Sequence, residues 1–110
     1  GQVSAAERLL REALATARQG RYPLLDAMAS ANLGLLRVRS GRFDEAVEWL
    51  EKSVDLTTSL RADLLRVKTL TNLGWCYYLL GDYDQLHYRV IYGAPGHAPR
   101  GGTVDIERIA

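Results

Sequence analysis

Apolar residues recur along the chain at helical spacing, in four strong blocks and a fifth weaker one. Residues 4 to 19 carry Leu9, Leu10, Ala13, Leu14 and Ala17 on one side, with Ser4 and Glu7 in a capping-box arrangement and Glu7 one turn from Arg11. Gly20 stops this helix, and Pro23 suits an opening position of the next, where a missing N–H is not needed. The spacing predicts a second helix over about 22–40. Leu24, Ala27, Ser30, Leu33, Gly34 and Arg37 run along one side of it, and Met28, Ala31, Asn32, Leu35 and Arg39 along another. Gly41 ends that helix. Asp44 opens a third, running to about residue 60, whose buried stripe is Phe43, Ala46, Val47, Leu50 and Val54. Residues 64–80 repeat the second pattern in a more aromatic form. Their packing side is Leu64, Val67, Leu70, Leu73 and Tyr77, and their other side is Lys68, Thr71, Asn72, Trp75 and Tyr78. A fifth helix begins at Asp82, Tyr83 and Asp84 and stops by Gly93. Beyond it, residues 94–110 hold glycine and proline too closely spaced for a regular element, and a flexible tail is expected.

The second and fourth blocks are two copies of one text. Asn32, Leu33, Gly34, Gly41, Phe43 and Asp44 match Asn72, Leu73, Gly74, Gly81, Tyr83 and Asp84, and the offset is 40 residues each time. The phase extends backwards, with Ala6 in the slot of Ala46 and Ser4 in that of Asp44. A fixed period of this size is the signature of a stacked repeat array. The first-half spacing Leu70-x-x-Leu73-Gly74-x-x-Tyr77 of the later copy, matched by Ser30-x-x-Leu33-Gly34-x-x-Arg37 in the earlier one, and the second-half spacing Ala46-x-x-x-Leu50 and Ala6-x-x-x-Leu10 resemble the tetratricopeptide repeat. The period is longer than that family's usual value of about 34 residues, and the extra length is assigned to a lengthened first helix. Long copies carrying Asn-Leu-Gly resemble those of bacterial signalling and transcription-regulator proteins.

The resemblance implies an all-α fold in which antiparallel helix pairs stack as a short right-handed solenoid. Residues 1–20 are then the second helix of a preceding repeat, 21–60 a full repeat, 61–93 a degenerate one and 94–110 the tail. It also implies a protein-interaction module, a piece of a larger protein, with no catalysis of its own. A structural spacer or oligomerisation arm without a peptide site is the alternative.

Composition narrows the partners. A net charge of +1 on 110 residues gives no electrostatic reason to expect nucleic acid or an anionic membrane surface. No apolar run reaches the roughly 20 residues of a bilayer span, and one cysteine rules out an internal disulfide framework. A cytoplasmic protein is expected. Arginine far outnumbers lysine beside abundant Ala, Leu and Gly, a composition associated with bacterial sources. The unpaired first helix is expected to expose Leu10 or Leu14 and so to invite self-association.

Candidate chemistry is sparse. Gly96, Gly101, Gly102 and Thr103 imitate a phosphate-binding loop but lack its lysine, and no helix pattern follows. His87 and His97 have no partners at metal-ligand spacing, and Cys76 stands in the slot of Leu36, which favours a packed hydrophobe. No catalytic residue, metal or cofactor is expected. The repeated asparagines differ in kind. Asn32, Leu35 and Arg39 on one first helix, and Asn72, Trp75 and Tyr78 on the other, fall on the side turned away from Leu33 and Gly34 or Leu73 and Gly74. The resemblance implies that the asparagines hold the main chain of a bound peptide on the concave first-helix surface; fixing the stacking of neighbouring repeats would use the same amides. Trp75 and Tyr78 offer the large, low-entropy contact area typical of binding hot spots.

Overall fold

The computed structural model describes residues 2–86. Four helices follow one another, α1 (Gln2–Gly20), α2 (Pro23–Arg39), α3 (Phe43–Leu60) and α4 (Asp63–Leu80), and each packs against the next. α2 also touches α4. No strand occurs among the described residues, so the fold is all-α as expected. A further helical turn occupies 83–86, where the Leu86 N–H donates to the Asp82 carbonyl at 3.1 Å. The rest of the expected fifth helix and the Gly/Pro-rich tail lie outside the described residues.

The turns set the period. Arg21, Gly41, Arg61 and Gly81 all lie in the left-handed region, with φ of 56°, 73°, 55° and 72°, at intervals of 20 residues. The residue after each donates its N–H five residues back. Tyr22 to Ala17, Arg42 to Arg37, Ala62 to Thr57 and Asp82 to Tyr77 span 2.8–3.0 Å. This is the Schellman closure, which satisfies a carbonyl that the helix end would leave bare. α1 stops at Gly20 as expected, but the left-handed turn falls on Arg21. Gly20 is the last helical residue, and the ring of Tyr22 lies where a side chain on it would go. The extra length of the repeat is shared too, since α2 and α4 have 17 and 18 residues beside the 19 and 18 of α1 and α3.

Two starts differ from expectation. Each helix opens two residues after a left-handed turn residue, at Pro23, Phe43 and Asp63, so the cap slot falls on Tyr22, Arg42 and Ala62, none with a side-chain cap bond. Asp44 stands inside the first turn of α3 rather than at its cap. Ser4 lies within α1, exposed, and the Ser4–Glu7 capping box does not form. Asp82 does cap, its Oδ1 accepting the Gln85 N–H at 3.3 Å.

The larger core lies between α3 and α4, where Ala46, Val47, Leu50 and Val54 meet Leu73, Cys76 and Tyr77, with Val38 of α2 packed on them. A smaller one joins Leu14 of α1 to Ala29 and Leu33 of α2, edged by Leu10, Ala13 and Trp49. Gly34 is a close approach, because a side chain there would meet Leu50 Cδ2 at 2.7 Å and Trp49 Cβ at 3.3 Å. The buried stripe of α4 is Thr69, Leu73, Cys76 and Tyr77, rotated slightly from the expected one. Leu64 and Val67 point away from α3 and are 78% and 55% exposed, as is Leu24 in the matching place on α2. Of Leu10 and Leu14, one of which was expected on the surface, Leu14 is buried against Ala29 and Leu33 and Leu10 is half-buried; Leu9 and Val3 are the large exposed apolar residues of α1.

Candidate functional site

The two first helices present their outward residues differently. On α2, Asn32 and Arg39 are exposed and Leu35 is half-buried. With Leu36 they form one wall of a groove of about 340 Å³, whose other wall is Ala6, Leu9 and Leu10 of α1. On α4, Asn72 is half-buried while Trp75 and Tyr78 are 59% and 54% exposed. Their rings meet edge to face at 5.8 Å, and Tyr83 extends the patch, 6.2 Å from Tyr78. Leu79, in the slot of Arg39, is exposed as well. The structure thus gathers Asn32, Leu35 and Arg39 into a groove and Trp75 with Tyr78 into an aromatic patch, and no residue of α4 lines the groove.

Ion pairs fix the groove's walls. Arg37, its side chain only 11% exposed, donates to Glu7 of α1 and lies 3.1 Å from Glu45 of α3, which also pairs with Arg42 at 2.6 Å. Arg11, one turn on, stands 3.9 Å from the same Glu7 oxygen. The Arg37 hydrogen bond, helped by the charges of Arg37, Arg11 and Arg42, holds the Glu7 carboxyl below the usual glutamate range. One guanidinium so ties three helices together. In the matching slot of α4, Tyr77 is buried and donates its hydroxyl to Glu51 of α3. Trp49 lies between Arg11 and Lys52, each 5.7 Å from its ring centre.

The part played by α1 and by Tyr83 was not read from the sequence. The signal for α1 was present in the 40-residue phase, which sets Leu9 and Leu10 in the slots of Trp49 and Leu50. Cys76 is packed in the larger core, and burial pushes its thiol up. Among the described residues no cluster of His, Cys, Asp and Glu could hold a metal, and no helix is long and apolar enough to cross a membrane. His87, His97 and the Gly96–Thr103 stretch lie outside the described residues. What the surface offers is apolar area edged by amides and a guanidinium.

The tetratricopeptide repeat family model matches residues 25–85, more than half of the chain. No curated protein and no solved structure matches it. The matched segment takes in both Asn-Leu-Gly copies, the glycine at the close crossing over Leu50 and most of the larger core. The chain belongs to the tetratricopeptide repeat family.

Proposed function

We propose that this chain is the interaction module of a larger bacterial signalling or regulatory protein, cytoplasmic and without catalysis of its own, which binds a protein or peptide segment on its first-helix surface. Tetratricopeptide repeats are in general protein-interaction modules, and the residues assigned to binding are Asn32, Leu35, Arg39, Asn72, Trp75 and Tyr78. The observation that carries the reading is the exposure of Trp75 and Tyr78 as an edge-to-face pair, since large aromatic rings held open to solvent on a helical framework are the usual anchors of an interface. The net charge of +1 favours neither nucleic acid nor membrane as partner.

A spacer or self-associating arm is the second reading. It is favoured by the half-burial of Leu35 and Val38, which hold on α2 the slots of Trp75 and Tyr78 on α4: a neighbouring helix covers that face once, in the chain itself. Trp75→Ala and Asn72→Ala separate the two. Partner capture by the immobilised chain, followed by titration, should show at least a tenfold loss of affinity with an unchanged melting temperature. Full affinity in both variants would remove this surface from binding.

A further inference from the structure

The seam between α1 and α2 is ionic at both ends and apolar only in the middle. At one end Glu7 accepts from Arg37 of α2, whose guanidinium also lies 3.1 Å from Glu45 of α3. At the other end the signs are reversed. Asp26 of α2 stands 4.0 Å from Arg18 of α1 and 3.0 Å from Lys52 of α3. The Lys52 ammonium lies outside hydrogen-bond geometry, so that contact is a charge pair, while Ser30 donates to Asp26 at 3.1 Å. Between the two clusters lies the smaller core, Leu14 against Ala29 and Leu33. Arg37 and Asp26 are nearly covered, their side chains 11% and 16% exposed, whereas their partners on α1 stand more open, Glu7 at 31% and Arg18 at 55%. The equivalent seam 40 residues on, between α3 and α4, is built otherwise. Val47 and Tyr77 hold the slots of Glu7 and Arg37, both in the larger core. Thr58 and Arg66 hold those of Arg18 and Asp26, and Thr58 accepts the Arg66 Nε–H at 3.2 Å, a contact with one charged partner instead of two.

We infer that the α1–α2 seam is an ionic latch: screening of charge parts α1 from α2, while the α3–α4 seam stays closed. Salt weakens the attraction between partly exposed charges and does not weaken apolar burial. With both pairs screened, α1 is held by the smaller core alone, and the nearly covered Arg37 and Asp26 lose part of what offsets their desolvation. The α3–α4 seam keeps Ala46, Val47, Leu50, Val54, Leu73, Cys76 and Tyr77 packed whatever the salt. Once lifted away, α1 is a lone helix of 19 residues, marginal in water, so parting opens its own backbone to exchange. The latch lies on the side of α1 turned to α2 and draws nothing from the opposite side of that helix. It makes this seam the place where the stack of helices bends.

The test is native-state hydrogen exchange of the 110-residue chain, read by NMR as protection factors in about 10 mM and about 1 M KCl, where charges act over roughly 30 Å and roughly 3 Å. As salt rises, the amides of residues 10–17 in α1 should lose about five- to tenfold in protection, and those of 73–77 in α4 less than about twofold. Ordinary fraying of α1 is alike at both ionic strengths and does not imitate this result. Glu7→Val together with Arg37→Tyr gives the seam the pair found at Val47 and Tyr77, and should cut the loss in α1 to less than about threefold. Asp26→Asn, which keeps an oxygen for Ser30, should also reduce the loss, and decides the matter if the double variant does not fold. An α1 whose protection ignores salt, an α4 that loses as much as α1, or a salt response undiminished in the folded variants would each overturn the latch.

Discussion

α2 and α4 occupy the same place in the period, share Asn-Leu-Gly, and live in different surroundings. Gly34 is pressed against Leu50 and Trp49, whereas a side chain on Gly74 would find Leu86 Cδ1 at an ordinary 3.4 Å. Arg37 answers carboxylates on two helices, while Tyr77 fills the core and donates to one. Leu35 and Val38 are half covered, and Trp75 and Tyr78 stand open. Position in a repeat therefore assigns a residue its direction, and the neighbour that happens to lie in that direction assigns its energy.

Four substitutions bear on that contrast. Tyr77→Ala should have the largest effect, a loss of about 3–5 kcal/mol in denaturant unfolding, since the ring is buried in the larger core. A loss under about 1 kcal/mol would mean the α3–α4 core is not what holds the chain. Gly34→Ala should come next, costing about 1–3 kcal/mol because Leu50 has to move. Gly74→Ala should go the other way and stabilise by up to about 1 kcal/mol, as helix propensity improves with no clash. If the two glycines respond with the same sign, the difference between the two crossings is unreal.

Glu7→Gln should have the smallest effect, visible as pH dependence. The folded carboxyl sits below its unfolded value, so the pairing with Arg37 contributes stability above the unfolded pKa and loses it as pH falls through the folded one. The melting-temperature gap between the native chain and Glu7→Gln should thus be full at neutral pH and close in acid, and added salt should narrow it because Glu7 is partly exposed. A gap independent of pH would show that Arg37 is held by Glu45 alone.

The fold was largely legible because helical periodicity and a 40-residue echo are properties of the chain itself. Leu33, Leu50, Leu73, Tyr77 and Ala46 were assigned to the core and lie there, and Pro23 opens α2 as read. Errors cluster where a neighbour or a turn decides. Ser4 and Asp44 are good capping types, but α1 is already helical at Gln2, and the left-handed turn at Gly41 starts α3 at Phe43. Leu64 and Val67 are apolar at helical spacing, yet no described element lies on their side of α4. Leu10 or Leu14 was taken for an unpaired surface because α2 was not seen to cover that side of α1. Of the candidate surface, the directions of Asn32, Leu35 and Arg39 were legible; the opposite wall from α1 required knowing how successive pairs lean together.

The equal spacing of Arg21, Gly41, Arg61 and Gly81 has a consequence for how such a chain changes through time. Removing a single residue from α3 between Ala46 and Leu50 would rotate everything after it in that helix by about 100°, carrying Leu50 and Val54 off α4 together. A gain or loss of a whole 20-residue unit leaves every direction intact but exchanges inner helices for outer ones. Only a step of 40 restores both. Length in this architecture is thus inherited in quanta, and single-residue insertions and deletions should collect at the turns, where no downstream stripe has to be re-aimed.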